Sequence, residues 1–247
     1  MTSLLKPVPA PSVVKPLEHT MIDGLISRAA ETSAHYDAAY FAWQRENGEF
    51  WGWAALSKFR DTVKPDDSVL DFGCGGGFLL ANLVCAKRYG VEPNPAARAA
   101  AVNNGIIAFR DSTEALSALG PESVDLIISN NALEHTIEPW RELAGLRPLL
   151  KRGGRVHFVV PCENISWKYK ASDMNQHLYS WSPQSLGNLF KVAGFEVEVS
   201  RPYIHKRPPR IGRYLAYLGR PVFDLASRIW GRLDRRWFQV ELIGKRP

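Results

Sequence analysis

An apolar run that ends in an acid and breaks at once into glycines constrains this chain more than any other stretch. It reads Val69-Leu70-Asp71-Phe72-Gly73-Cys74-Gly75-Gly76-Gly77. Glycine is needed where backbone turns tightly or approaches a ligand closely, because a Cβ would clash there. The apolar residues read as a buried strand, and Phe78–Cys85 after the glycines reads as a helix. Strand, glycine turn and helix start are the frame on which α/β folds hold nucleotides.

The same alternation runs through most of the chain. Strands are expected at 68–72, 87–91, 106–109, 124–129, 155–160 and 195–200, with a last one at 237–243. Helices are expected at 96–103, 138–150 and 182–193. Lys151-Arg152-Gly153-Gly154 offers cations and glycine where a helix C-terminus favours them. Ser182 followed by Pro183 is a helix start. Strands alternating with helices specify an α/β fold with a doubly wound, Rossmann-like sheet. The expected organisation is a proline-containing tail and the start of a helical lid over 1–35, then a cofactor-binding domain over 36–202. A basic amphipathic insert over 203–236 and a last strand over 237–247 complete it.

The charge is unevenly placed. Residues 201–247 carry 12 Lys and Arg against 3 Asp and Glu, whereas the first 200 carry 19 against 22. A basic C-terminal segment on a slightly acidic body points to a local anionic partner and away from nucleic acid. Within the segment, Val222, Phe223, Ala226, Ile229, Trp230 and Leu233 recur at helical spacing, with Arg220, Arg228, Arg232, Arg235 and Arg236 mostly on the other side. That pattern suits peripheral contact between 203–236 and an anionic membrane. No apolar run approaches the roughly 20 residues that a membrane-spanning helix needs. Cys74, Cys85 and Cys162 fit neither a zinc site nor a disulfide framework, and cytoplasm is the expected compartment.

Three features select the nucleotide. A dinucleotide loop wants a third glycine where Phe78 stands, and a phosphate-binding P-loop wants Gly-Lys-Ser/Thr, which is absent. Asp71 is awkward beside a pyrophosphate and suits an ammonium group. Glu92, twenty-one residues later at the end of the second strand, can accept both ribose hydroxyls in a charge-assisted pair. Asp111, after the third strand, can take an adenine amino group. Adenosine joined to an amino acid head is S-adenosyl-L-methionine.

At these residues the chain resembles the class I S-adenosylmethionine-dependent methyltransferases, in the small-molecule branch that includes ubiquinone and menaquinone methyltransferases. The resemblance rests on 69–77, on Gly90-Val91-Glu92-Pro93 and on Arg110-Asp111-Ser112. It continues through Val124-Asp125-Leu126-Ile127-Ile128-Ser129-Asn130-Asn131-Ala132-Leu133-Glu134-His135 and Leu149-Leu150-Lys151-Arg152-Gly153-Gly154, where Arg152 replaces the usual proline. His177-Leu178-Tyr179-Ser180-Trp181-Ser182 and Ala193-Gly194-Phe195-Glu196-Val197 resemble later segments. The resemblance implies a seven-stranded sheet with six parallel strands and an antiparallel last one. It also implies methyl transfer to a small-molecule or lipid-linked acceptor, at oxygen in our reading. The alternatives are C-methylation of a quinone-like acceptor and a non-catalytic cofactor-binding subunit.

The residues assigned to the cofactor are Asp71, Gly73, Cys74, Gly75, Gly77, Glu92, Pro93, Asp111, Ser112 and Asn130. Cys74 is read as a small packing residue within the loop. Tyr36 and Tyr40 resemble residues that close over the cofactor in related enzymes. His177 and His135 are the candidates for proton transfer, each weighed against a purely structural role. No metal ligand set is assigned.

Overall fold

The computed structural model describes residues 38–247, with side chains from residue 48 onward. The tail and lid start at 1–35, Tyr36 and the side chain of Tyr40 lie outside the described residues.

Helix α1 (Ala38–Phe59) leads into β1 (Ser68–Phe72), and one 3-10 turn at Leu80–Asn82 leads to β2 (Lys87–Val91). Then follow α2 (Pro95–Asn103), β3 (Ile107–Phe109), α3 (Ser112–Leu119) and β4 (Val124–Asn130). After a 3-10 turn at Leu133–His135 come α4 (Pro139–Leu146), β5 (Leu150–Cys162), α5 (Pro183–Val192) and β6 (Glu196–Tyr203). Two further helices, α6 (Gly212–Tyr217) and α7 (Arg220–Leu233), precede β7 (Phe238–Lys245). The seven strands form one sheet in the order β3-β2-β1-β4-β5-β7-β6. Only β7 is antiparallel, pairing with β5 and β6, as expected.

Alternation along the strands divides the core into two layers, because successive strand side chains point to opposite faces. Leu70, Phe72, Ile127, Phe158 and Val160 join Leu143 and Leu146 of α4 and Leu186 and Phe190 of α5 on one face. Val69, Leu126, Ile128 and Val159 join Ala55 and Phe59 of α1 on the other. Phe158 meets Phe190 edge-on at 5.0 Å between ring centroids. Truncating a fully buried leucine such as Leu70 or Leu126 should cost about 2–5 kcal/mol.

Four expectations are corrected. Phe78–Cys85 forms no α-helix. Arg88 takes the carbonyls of Leu80 and Leu83 at 3.2 and 2.9 Å, and the Ala86 amide turns to Asp67, so the segment's polar groups are satisfied outside a helical ladder. The helix expected to reach Leu150 ends at Leu146, because Pro148 lacks an amide donor. Lys151–Gly154 is then a bulge inside β5: Val124 pairs with Leu150, and the next pairing is Leu126 with Arg155. Helix α3 was not anticipated, although Asp111 caps it. Lastly, the apolar residues of the insert do not share one face. Phe223 is buried while Val222, Ile229 and Leu233 are exposed.

Candidate active site

In a parallel sheet, ligands sit beyond the carboxyl ends of the strands where the strand order reverses. Here that point lies beside β1, between β2 and β4. The glycine loop leaves β1 there, and its first amides are held to β2: Gly73 and Cys74 donate to the Val91 carbonyl at 2.9 and 3.2 Å. Gly73 and Gly75 both have positive φ, 72° and 54°. A Cβ on Gly73 would collide with Ala132, whereas one on Gly75 would meet nothing within 4 Å. Gly75 therefore borders open space, and a side chain there would occupy room that a ligand can use. Cys74 turns inward. Its sulfur would lie 2.5 Å from a Cβ on Gly90, and burial pushes the thiol well up. Its thiol therefore packs, and its backbone shapes the loop, the amide on the Val91 carbonyl and the carbonyl on the Gly77 amide at 2.9 Å.

Two acids flank the loop. Glu92 accepts the Gly75 amide on Oε2 and the Asn94 amide on Oε1, each at 2.9 Å. Burial raises its carboxyl, and those two amides pull it back. Asp71 is buried and its Oδ1 has no hydrogen-bond partner. Burial, and then the nearby Glu92, push Asp71 well above the usual carboxylate range. An unpaired carboxyl at this depth is costly unless a cation or donor completes it.

The other assigned residues divide. Asp111 is the N-cap of α3: it accepts the Glu114 amide at 2.8 Å and pairs with Arg110 at 2.9 Å, and that amide leads in lowering its carboxyl. Ser112 is buried, with its Oγ against the place where Gly145 lacks a side chain. Pro93 is exposed. Asn130, the last residue of β4, accepts a hydrogen bond from Lys58 Nζ at 2.7 Å.

Both histidines meet on the far side of β4. Their rings lie 5.0 Å apart, edge to face. His177 Nδ1 is 2.6 Å from Glu163 Oε1, and its Nε2 lies 4.0 Å from Glu134 Oε1. The Leu178 amide donates to the Glu134 carbonyl at 2.9 Å, which ties the 163–181 loop to the end of β4. Glu134 is fully buried, and neither of its carboxylate oxygens has a hydrogen-bond partner. Burial lifts its carboxyl to about 8. Burial likewise lowers Lys58 to about 7, against the attraction of Glu134. Glu134, His135 and His177 each offer one ligand atom, all within 4.8 Å, so the group could hold a divalent cation.

Lys58, Glu134 and Glu163 were not singled out from sequence. Lys58 sits in the last turn of α1, where a lysine reads as a solvated cation complementing the helix terminus.

The sequence model of the methyltransferase domain matches residues 42–199. The chain is 36% identical over 177 residues to a ubiquinone biosynthesis O-methyltransferase of Azotobacter vinelandii, covering 68% of this chain and 71% of that protein. It is 32% identical over 101 residues to the enzyme of the same name from Serratia proteamaculans, a match that spans only 42% of that enzyme. In structure it is similar to a SAM-dependent methyltransferase of Thermotoga maritima, described as a possible histamine N-methyltransferase. The TM-score is 0.60 at 17% identity, covering 87% of this chain and 98% of the other, a likeness of fold. The order of strands, the acid-flanked glycine loop at the switch point and the extent of the sequence match agree: the chain belongs to the methyltransferase-domain family.

Proposed function

We propose that the protein transfers a methyl group from S-adenosylmethionine to an oxygen of a small-molecule or lipid-linked acceptor. The observation that carries this reading is Asp71, a buried carboxyl with an unpartnered oxygen at the start of a loop that opens to space at Gly75. Asp71 suits the ammonium of the methionine moiety, which would draw its proton off and ionise it. Glu92 already holds one backbone amide on each oxygen. A carboxylate has about four lone-pair sites, so it retains capacity for two ribose hydroxyls. Asp111 and Ser112 are left to the adenine side, Pro93 to the turn that carries the ribose acid, and Asn130 to the cofactor edge at the end of β4.

When bound, the sulfonium supplies an already activated methyl group, so the chain's task is alignment in a dry cleft and removal of one proton. His177 is placed for the proton. Glu163 holds Nδ1, which leaves Nε2 to accept. Glu134, buried beside it, is kept largely neutral near pH 7, so it sets no negative charge against the proton's path to His177. The relatives named as O-methyltransferases favour oxygen over carbon. We place the protein in the cytoplasm, with the basic segment 203–236 in peripheral contact with an anionic membrane.

Calorimetry tests the cofactor reading. S-adenosylmethionine and its demethylated product should bind with micromolar affinity, about −8 kcal/mol. NADH heat without S-adenosylmethionine heat would overturn it. Incubation with labelled cofactor and cell extract, followed by mass spectrometry of the labelled product, identifies the acceptor.

A further inference from the structure

The hairpin of α6 and α7 shows its apolar side to solvent. Helix α7 turns Phe223, Ser227 and Gly231 inward. A Cβ on Gly231 would lie 3.0 Å from Ile204, and the Lys206 amide donates to the Ser227 carbonyl at 3.0 Å. Small residues let the helix lie close on the 204–206 strand extension. Phe223 packs on Trp53 of α1 at 5.0 Å, and Arg220 donates to the Trp53 carbonyl at 2.6 Å, so the hairpin is fixed to the body. On the opposite side of α7, Val222, Leu225, Ile229 and Leu233 recur at three- and four-residue spacing. Leu225 is 62% and Leu233 72% exposed, and α6 adds Tyr217 at 88%. Scattered apolar residues on a surface need no explanation, but a continuous helical stripe does.

The rim of the stripe is cationic. Arg228 and Arg232 of α7, with Arg235 just beyond it, are exposed and form no ion pair among the described residues. The hairpin's two acids are engaged elsewhere, Asp224 by His205 at 3.0 Å and Asp234 by Arg236 at 2.9 Å. Topology fixes where this surface sits. Strand β6 runs parallel to β1–β5 and ends at Tyr203, and β7 starts back at Phe238. The hairpin therefore projects from the sheet edge that carries the glycine loop.

We infer that α6 and α7 form an interfacial anchor, seating the outward stripe of α7 among the headgroups and upper acyl chains of an anionic membrane. This rests on the peripheral contact proposed above and specifies its element and face. Charge decides the occupant. A second copy of this chain would press the arginine rim against itself. Residues 1–35 hold three Lys and Arg against three Asp and Glu, and so offer no net negative charge. Acidic lipid headgroups match the arginines while the acyl boundary takes the leucines, the arrangement by which amphipathic helices lie in a bilayer surface.

The test is sedimentation of the full chain with phosphatidylcholine vesicles, with and without phosphatidylglycerol. One variant combines Leu225→Ser, Ile229→Ser and Leu233→Ser. The other combines Arg228→Gln, Arg232→Gln and Arg235→Gln. Wild type should bind only the anionic vesicles. The serine variant should lose about a hundredfold in partitioning. The glutamine variant should lose at least about tenfold at low salt and much less at high salt. Both should bind S-adenosylmethionine as wild type does, since their changes face solvent; that arm reports on the methyltransferase reading separately. A serine variant that sediments like wild type overturns the anchor while leaving membrane contact standing. Wild type that ignores anionic vesicles, or binds neutral ones equally, overturns both. A wild-type dimer in light scattering that the serine variant dissolves assigns the stripe to a second copy and overturns the lipid.

Discussion

Two glutamates at the same edge of the sheet, one half-buried and one fully buried, are treated in opposite ways. Glu92 has a backbone amide on each oxygen. Glu134 is buried more deeply and has none on either. The difference separates the two halves of the site. Around Glu92 the loop amides are already held before any ligand arrives and only the Asp71 oxygen lacks a partner, so that side is a pre-formed cradle. Burial pushes Glu134 and Lys58 towards their neutral forms, and the cluster they make with His135 and His177 leaves the Glu134 oxygens to be completed by a proton, a cation or an acceptor. The first half is built to hold, the second to exchange.

The sharpest way to break that comparison is at His177. If the second half exchanges protons, His177→Ala should lower turnover about 10²–10⁴-fold while leaving the cofactor's Kd nearly unchanged. His135→Ala, compared in the same single-turnover assay, should do less, since its Nε2 stands 3.9 Å from Glu134 whereas His177 Nδ1 is held at 2.6 Å by Glu163. Equal losses in both would make the pair scaffold.

Next in size is Glu134→Gln. Below pH 4.5 Glu134 is protonated in both folded and unfolded chains, and the substitution should change little. As pH rises from about 4.5 the unfolded chain ionises Glu134 while the folded protein holds its proton up to about 8, so wild type loses stability across that window and no further above it. The glutamine variant should escape that loss, on the order of a few kcal/mol by pH 9, in urea unfolding. A constant difference across pH would mean that Glu134 is ionised and paired in the native state.

Glu92→Ala should act on both stability and affinity, because Glu92 holds the loop as well as facing the ribose. Cofactor binding should weaken by about 1.5–3 kcal/mol in calorimetry. Unaltered binding would place the ribose elsewhere. The smallest effect is expected from Gly75→Ala. No protein atom obstructs it, so it should cost only about 1 kcal/mol of backbone strain in the free protein. The remainder of its effect should appear on cofactor affinity alone. Gly73→Ala collides with Ala132 and should destabilise the fold itself.

The cradle was legible in the sequence because it is local. An acid, spaced glycines and a second acid at the end of the next strand are one continuous signal, and the strand periodicity that frames them gives the sheet its order. The exchanging half is assembled from distant residues. Lys58 reaches Asn130 across 72 positions, and Glu163 reaches His177 across an irregular loop. Arg246 caps the carbonyls of Pro148 and Leu150 from the far end of the chain, so β5 starts at Leu150 and not at Arg155, where local spacing alone puts it. In α7 the periodicity was visible, but Gly231 and Ser227 carried the information about which side faces in. Small residues have no signature until something is packed against them.

The single 3-10 turn after the glycine loop has one more consequence. A long helix would direct its positive end at the ligand. This chain supplies almost none of that field and places Asp71 and Glu92 there instead. The local potential favours a ligand with two positive charges over one that has lost its sulfonium charge. Once the methyl group has left, the same carboxylates hold the spent cofactor less strongly. Within the micromolar range the demethylated product should therefore bind less tightly than S-adenosylmethionine for an electrostatic reason, and Asp71→Asn should narrow that gap.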